Sequence, residues 1–464
     1  MIRILSLSLA IALASGATTA HADDLIQVYQ EARASDPTLA GAEATKLSTD
    51  EFVNQARSQL LPQIGINLEF TRSRSGDNGT ALIDNPGIPG IPDDQILIDG
   101  SNSTSYRRSV GAQLSQSILD ISRWTALKSS RYTAQAGAAT YDAAQQQLLV
   151  QVAQAYFDVL SALDALKFAD ANEKALARQL EQAQQRFDVG LAAITDVNDA
   201  KAQHDQAVAS VITNQNAVDT ARESVRQLTN KVPGEFRKLR EKLPLDRPTP
   251  DDPEAWVEVA LKNNPSLAAA AFQVDAANAD INTARAGHLP TIDGTLGYSR
   301  SPLWGDTRYG GLPGEIHDSS DPKWGSTIGI TLTVPIFSGG YTQSRVRQAI
   351  HNRDFAQDQH EFNRRQVEAA TRNNFRSVIA GASEVEARQA AVVSAQSSVE
   401  ATQAGYEVGT RTIVDVLISQ QTLLQAQSAY STARHAYVMN RLLLKQAAGV
   451  LEVQDLEAIN ALLE

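Results

Sequence analysis

The sequence predicts a mainly helical chain that carries a few β-strands and is built from two copies of one unit. Three observations predict it: where prolines fall, where apolar residues alternate, and which short motifs occur twice. All 16 prolines lie between Pro37 and Pro335, with none from 93 to 232 and none after 335. Proline removes a backbone donor and clashes with the preceding turn, so these two long gaps permit long helices. Residues 122–188 hold a single glycine, Gly137, and Thr342 to Ala404 hold only Gly381. Both stretches are rich in the good helix formers Ala, Gln, Leu, Arg and Glu. At 1.5 Å per residue, each would run ~100 Å.

A glycine turn and a shorter helix follow each long one, over 195–230 and 412–448. The shorter helices carry heptads: Val197, His204, Val211, Val218 and Val225, then Val416, Leu423, Tyr430, Tyr437 and Leu444. A seam of this period suits helices packed side by side. The stripe is narrow, as in a hollow wall wetted on both faces. His204 lies within its heptad and reads as a packed or rim residue rather than a ligand.

The strands come in two pairs. Ile64, Ile66, Leu68 and Phe70 alternate with polar residues or glycine, and residues 106–118 do so more weakly through Val110, Ala112, Leu114 and Ile118. In the second half Ile292, Gly294, Leu296 and Tyr298 alternate, then Ile328, Ile330, Leu332, Val334 and Ile336. A period of two over about ten residues fits a membrane strand with lipid on one face. It equally fits a soluble two-faced sheet. Trp124, Trp304 and Trp324 flank these segments, where an aromatic girdle would sit. Four strands cannot close a membrane barrel, which starts at about eight. Spanning strands would therefore require two or three copies, giving eight or twelve. The stretches 77–104 and 303–325 read as long polar loops.

The duplication is explicit. Ser35-Asp36-Pro37-Thr38-Leu39 repeats as Asn263-Asn264-Pro265-Ser266-Leu267. Ala56-Arg57 to Leu61-Pro62 repeats as Ala284-Arg285 to Leu289-Pro290. Phe187-Asp188-Val189-Gly190, then Ile194-Thr195-Asp196-Val197, repeats as Tyr406-Glu407-Val408-Gly409, then Ile413-Val414-Asp415-Val416. This divides the chain into a first repeat, 23–230, a proline-rich linker, 231–255, and a second repeat, 256–464. Before them, 1–22 reads as a secretory signal peptide: Arg3, an apolar Ile4–Ala14, and Ala20-His21-Ala22 as cleavage site. No later segment offers ~20 consecutive apolar residues, so a mature chain without a spanning helix is expected.

Composition narrows function. The chain has 464 residues, no cysteine, and 53 Asp+Glu against 41 Lys+Arg. Thiol chemistry and Cys-ligated metals are excluded. The acidic balance speaks against nucleic acid, which needs clustered Lys and Arg. A mean hydropathy of -0.26 speaks against a bundle of membrane helices and leaves a β-barrel open. The seven histidines are scattered, and no H-E-x-x-H, P-loop or G-x-S-x-G occurs, so no enzyme, cofactor or metal site is expected. A periplasmic coiled-coil adaptor or structural protein is the alternative reading. It would account for export and long helices, but not for the duplicated strand pairs.

DDLIQVYQEARASDPTL, the pair RSQLLPQIG and AGHLPTIDG, VGLAAITDVNDAKAQ and GYEVGTRTIVDVL together resemble the TolC-type outer-membrane efflux protein family, in order and over essentially the whole mature chain. The resemblance implies a homotrimer, with a 12-stranded β-barrel in outer-membrane lipid, four strands per protomer, continuous with a long periplasmic helical barrel. It implies a passive exit duct for drugs, small molecules or proteins, in efflux pumps and type I secretion. A periplasmic adaptor and an inner-membrane pump of the RND, ABC or MFS class would be its partners. It places gate links at Thr195, Asp196, Tyr406 and Arg411. It places adaptor contacts at the hairpin tips, Val189, Gly190 and Leu191 with Val408, Gly409 and Thr410. Asp415 matches one acidic ring at the pore entrance. The second ring position holds Ile418, and Asp199, its counterpart in the first repeat, would restore part of that charge. Helix capping is the plainer role for Thr412 with Asp415, which have the capping-box spacing, and for Thr195-Asp196 at a helix start.

Overall fold

The computed structural model describes residues 24–84, 95–310 and 315–464. The expected export signal, 1–22, lies outside the described residues. In chain order the elements are α1 Leu25–Ser35, α2 Pro37–Ser58, β1 Gln63–Asp84, β2 Gln95–Leu119, α3 Ile121–Asp188, α4 Ile194–Thr229, α5 Pro253–Asn263, α6 Pro265–Ala286, β3 Thr291–Arg300, β4 Leu303–Tyr309, β5 Ile316–Ser320, β6 Gly325–Thr333, α7 Tyr341–Glu407, α8 Ile413–Ala447 and α9 Val453–Asn460. The described residues divide into two compact units: those within 24–46, 136–271 and 359–464, and those within 47–135 and 272–358.

The first unit is helical. Its repeated D/N-P motif marks a helix break. Asp36 ends α1, and its carboxylate accepts from the Leu39 amide at 2.6 Å while Pro37 opens α2. Asn264 does the same for α5 and α6, accepting from Leu267 at 3.1 Å with Pro265 next. Proline at a first helical position has no donor to lose, and Asp or Asn before it satisfies one of the free amides. The core gathers Leu25 and Val28 of α1, Val152, Tyr156, Phe157 and Val159 of α3, Val378 of α7, Tyr437 and Leu442 of α8, and Leu456 of α9. No heptad residue is exposed: Val197, Val218 and Val225 of α4 and Val416, Tyr437 and Leu444 of α8 are buried, and the rest are half-buried. Helix α3 holds an 18-residue stretch of mean hydropathy 1.2, of which 56% is buried. Its burial in the helical core accounts for that apolarity.

The segment 231–255 is not a slack tether. Phe236 meets Tyr156 edge-on at 5.2 Å, and the Tyr156 hydroxyl donates to the Arg237 carbonyl. Tyr437 donates to the Asp246 carbonyl, and the Trp256 indole to that of Pro250. Lys238 and Glu464 exchange backbone hydrogen bonds, so the segment also pairs with the end of the chain.

The second unit holds the sheet. The four expected strands become six segments on four tracks. β1 pairs one edge of β2 antiparallel; β3 and then β4 pair its other edge. β6 pairs β3, and β5 pairs β4. Pro302 separates β3 from β4 and Pro322 lies between β5 and β6, because proline cannot donate to a ladder. The expected loops are corrected in the same way. The β1–β2 ladder continues to Asp84↔Gln95, and β4 and β5 occupy most of 303–320. Only 85–94 and 311–314 of those stretches lie outside the described residues. In the extended ladder the apolar residues come as unbroken runs, Ala81-Leu82-Ile83 and Ile96-Leu97-Ile98, next to polar and glycine stretches, so alternation gave no signal. At its other end β6 stops at Thr333, which leaves Val334 and Ile336 outside the strand, next to Pro335.

Register aligns Ile64, Leu114, Leu296 and Ile328 in one row across β1, β2, β3 and β6. Ile64 is 74% exposed and Ile328 80%. Trp304 stacks on Tyr106 at 5.9 Å and Trp324 on Tyr298 at 5.1 Å, while Trp124 stands exposed at the start of α3. Among the described residues, the outer edges of β1 and of the β5/β6 track have no strand partner.

Candidate functional site: the two hairpin tips

Each long helix reverses into its shorter partner through a glycine in the left-handed region, at φ 79° for Gly190 and 80° for Gly409. Side chains with a Cβ rarely adopt this backbone. In the first tip the Gly190 amide donates to Phe187 O and the Leu191 amide to Arg186 O at 2.7 Å. In the second, the Gly409 amide donates to Tyr406 O and the Thr410 amide to Gly405 O at 2.9 Å. These bonds satisfy the last carbonyls of α3 and α7. The side chains between point to solvent: Val189, Leu191 and Val408 are about 70% exposed or more, and Thr410 is exposed as well.

The helix starts differ. Thr412 caps α8 with a full capping box. The Asp415 amide donates to the Thr412 hydroxyl at 3.2 Å, and the Thr412 amide donates back to the Asp415 carboxylate at 3.0 Å. That amide, then the Thr412 hydroxyl, holds the Asp415 carboxyl below the usual range. Helix α4 begins at Ile194 after Ala193, which offers no side-chain cap. Thr195 and Asp196 therefore lie inside the first turn rather than at the cap, with Asp196 favourably placed near the positive end of the helix.

The sequence-expected gate residues are not joined within the chain. Among the described residues, no hydrogen bond or ion pair connects Thr195 or Asp196 to Tyr406 or Arg411. The Thr195 hydroxyl reaches only its neighbour Asp196, at 3.5 Å. Arg411 is exposed, as is Asp199. Tyr406 is 8% exposed and belongs to a cluster with Leu176, Ala207, Ile413, Val416 and Leu417. Its ring lies 4.9 Å under the guanidinium of Arg186. Arg186 escaped the sequence reading. Its signal was a difference between the copies, since the second repeat has Gly405 at the matching place.

His204 is half-buried, with its Nε2 3.2 Å from Glu173. Deeper in the first unit, His435 Nδ1 meets the Ser161 hydroxyl at 2.8 Å, and Ser431 donates to Asp164 at 2.5 Å. Burial pulls the imidazole down to about 4, against the opposing charge of Asp164. A histidine held neutral this firmly is a poor base at neutral pH. Among the described residues, no group of acids and histidines is arranged to hold a metal ion.

Paired helical hairpins with glycine-turned apolar tips, in a chain whose open-edged sheet exposes an apolar row, fit the class of membrane-seated channels. The family model described as "Outer membrane efflux protein" matches residues 28–231 and 256–450. The chain belongs to that family. It is 39% identical over 463 residues to the outer membrane protein TolC of Escherichia coli, covering 99% of this chain and 89% of that one. It is 34% identical over 461 residues to TolC of Vibrio cholerae, covering 99% and 98%. The alkaline protease secretion protein AprF of Pseudomonas aeruginosa is 28% identical over 319 residues, 68% of this chain and 64% of that one. The crystal structure of the outer membrane protein VceC from Vibrio cholerae superposes with a TM-score of 0.70 at 19% identity, covering 92% and 96%; that likeness shows the fold. The chain is thus an outer-membrane export channel with a periplasmic helical part, in a family of transport proteins.

Proposed function

We propose that the chain is one third of a trimeric exit duct through which an inner-membrane pump and a periplasmic adaptor expel small molecules or proteins. One observation carries the assembly: an exposed apolar row on a sheet whose two outer edges are unpaired; the number three follows the family resemblance. Open edges are not tolerated in lipid, so the sheet must close with further copies. Three copies, four tracks each, make a closed 12-stranded barrel. The division into repeats 23–230 and 256–464 joined by 231–255 is the matching reading of the chain, supported by the recurrence of helix, helix, strands and long hairpin on both sides. The exposed tips are the adaptor surface. The alkaline protease secretion relative supports protein cargo beside small molecules. Outer-membrane fractionation tests the whole reading. A heat-modifiable trimer is expected on unheated gels; a soluble periplasmic monomer would overturn it.

The gate links belong to the same proposal. Asp196 and Arg411 make no ion pair within the chain among the described residues, which leaves both available to a neighbouring protomer. Exposed links of that kind are worth ~1 kcal/mol or less each, suited to release by docking. Tyr406→Phe with Arg411→Ser should enlarge single-channel conductance in planar bilayers. An unchanged pore would count against the assignment.

A further inference from the structure

The geometry points to Arg186 as a gate-positioning residue that clasps the end of α7 through the ring of Tyr406. This rests on the gate reading above and adds a residue and an interaction to it. Three observations converge. The guanidinium sits 4.9 Å from the ring centroid. Arg186 has no ion pair, and the Tyr406 hydroxyl no hydrogen bond, among the described residues, so the ring face is the guanidinium's contact while the apolar cluster packs the rest of the ring. The ring is nearly buried, whereas its counterpart Phe187 is exposed. Beside the stack lies a cavity of about 400 Å³, lined by Gln182, Gln185, Val189 and Glu407. It gives the guanidinium room to swing off the ring, although Glu407 is engaged by Gln403 of its own helix.

A cation on a ring depends on the π-face and not on the phenol oxygen. At a half-exposed site it shifts the ratio of open to closed tips about two- to fivefold per protomer. The clasp and a hydroxyl-based link are therefore separable by substitution. Conductance of the purified trimer in planar bilayers is the readout. Arg186→Gln and Tyr406→Leu should each enlarge the mean conductance. Arg186→Lys should stay near the unsubstituted level, and Tyr406→Phe should open the pore far less than Tyr406→Leu. The double variant Arg186→Gln with Tyr406→Leu should open it no further than the larger single change. The clasp is overturned if Arg186→Gln leaves conductance unchanged, or if Tyr406→Phe opens the pore as fully as Tyr406→Leu. The Tyr406 pair decides alone should Arg186→Gln fail to assemble a heat-modifiable trimer. If Arg411→Ser opens the pore while Arg186→Gln does not, the gate reading stands and the clasp alone fails.

Discussion

The two hairpin tips descend from one sequence, turn through the same glycine, and finish differently. The second tip starts its return helix with the Thr412–Asp415 capping box and buries Tyr406. The first starts on Ala193 without a cap and leaves Phe187 36% exposed. The turn is kept because only the backbone requires it. The flanks are free to diverge because they meet different neighbours. The second tip is thus the better anchored of the two at its helix start, and the first supplies Arg186 to hold it.

The largest expected effect tests what the tips share. Gly190→Val or Gly409→Val forces a β-branched residue into the left-handed region, at ~1–2 kcal/mol. Both should cut export of a toxic compound, read as growth inhibition. A loss at only one position would show that the tips are not equivalent docking loops. Next comes the cap, where they differ. Thr412→Ala should cost the start of α8 ~1 kcal/mol, and Ala193→Ser should stabilise the start of α4 by up to that amount, since Asp196 already stands at the third helical position. Amide exchange over the first turn of each helix reads both; equal protection before substitution would erase the contrast. A smaller effect concerns charge. Asp199 stands where the second repeat has Ile418, so Asp199→Asn should lower cation selectivity and cation block in single-channel recordings. If neither changes, Asp199 does not compensate for Ile418. The smallest is acid sensitivity. Folding lowers the Asp415 carboxyl below its ordinary value of about 3.9, so the unfolded chain takes up the proton first. The box's contribution is complete above about pH 4 and fades as pH falls through the lower folded value. Thr412→Ala should abolish that fading.

Much of the architecture was written locally. A proline gap permits a long helix whatever surrounds it, and motifs that recur in the same order in both halves declare a duplication. Asp36-Pro37 and Asn264-Pro265 specified their helix breaks by chemistry contained within four residues. Where the signal depended on burial, it faded. The ends of β1 and β2 form a ladder that alternation did not mark, because their apolar residues, Ala81-Leu82-Ile83 and Ile96-Leu97-Ile98, are consecutive rather than alternate. Thr195 and Asp196 read as a helix start, yet the cap is Ala193, one residue before the first turn.

By itself, then, the sequence determined the long hairpins, the glycine turns and the apolar alternation of the strands, since each follows from covalent geometry or from a periodicity a few residues long. Tertiary structure decided which copy of a duplicated residue is buried, that 231–255 packs on the core, and that Arg186 rests on Tyr406. Those outcomes depend on which helix lies opposite, and residues 220 positions apart in the chain carry no local record of that.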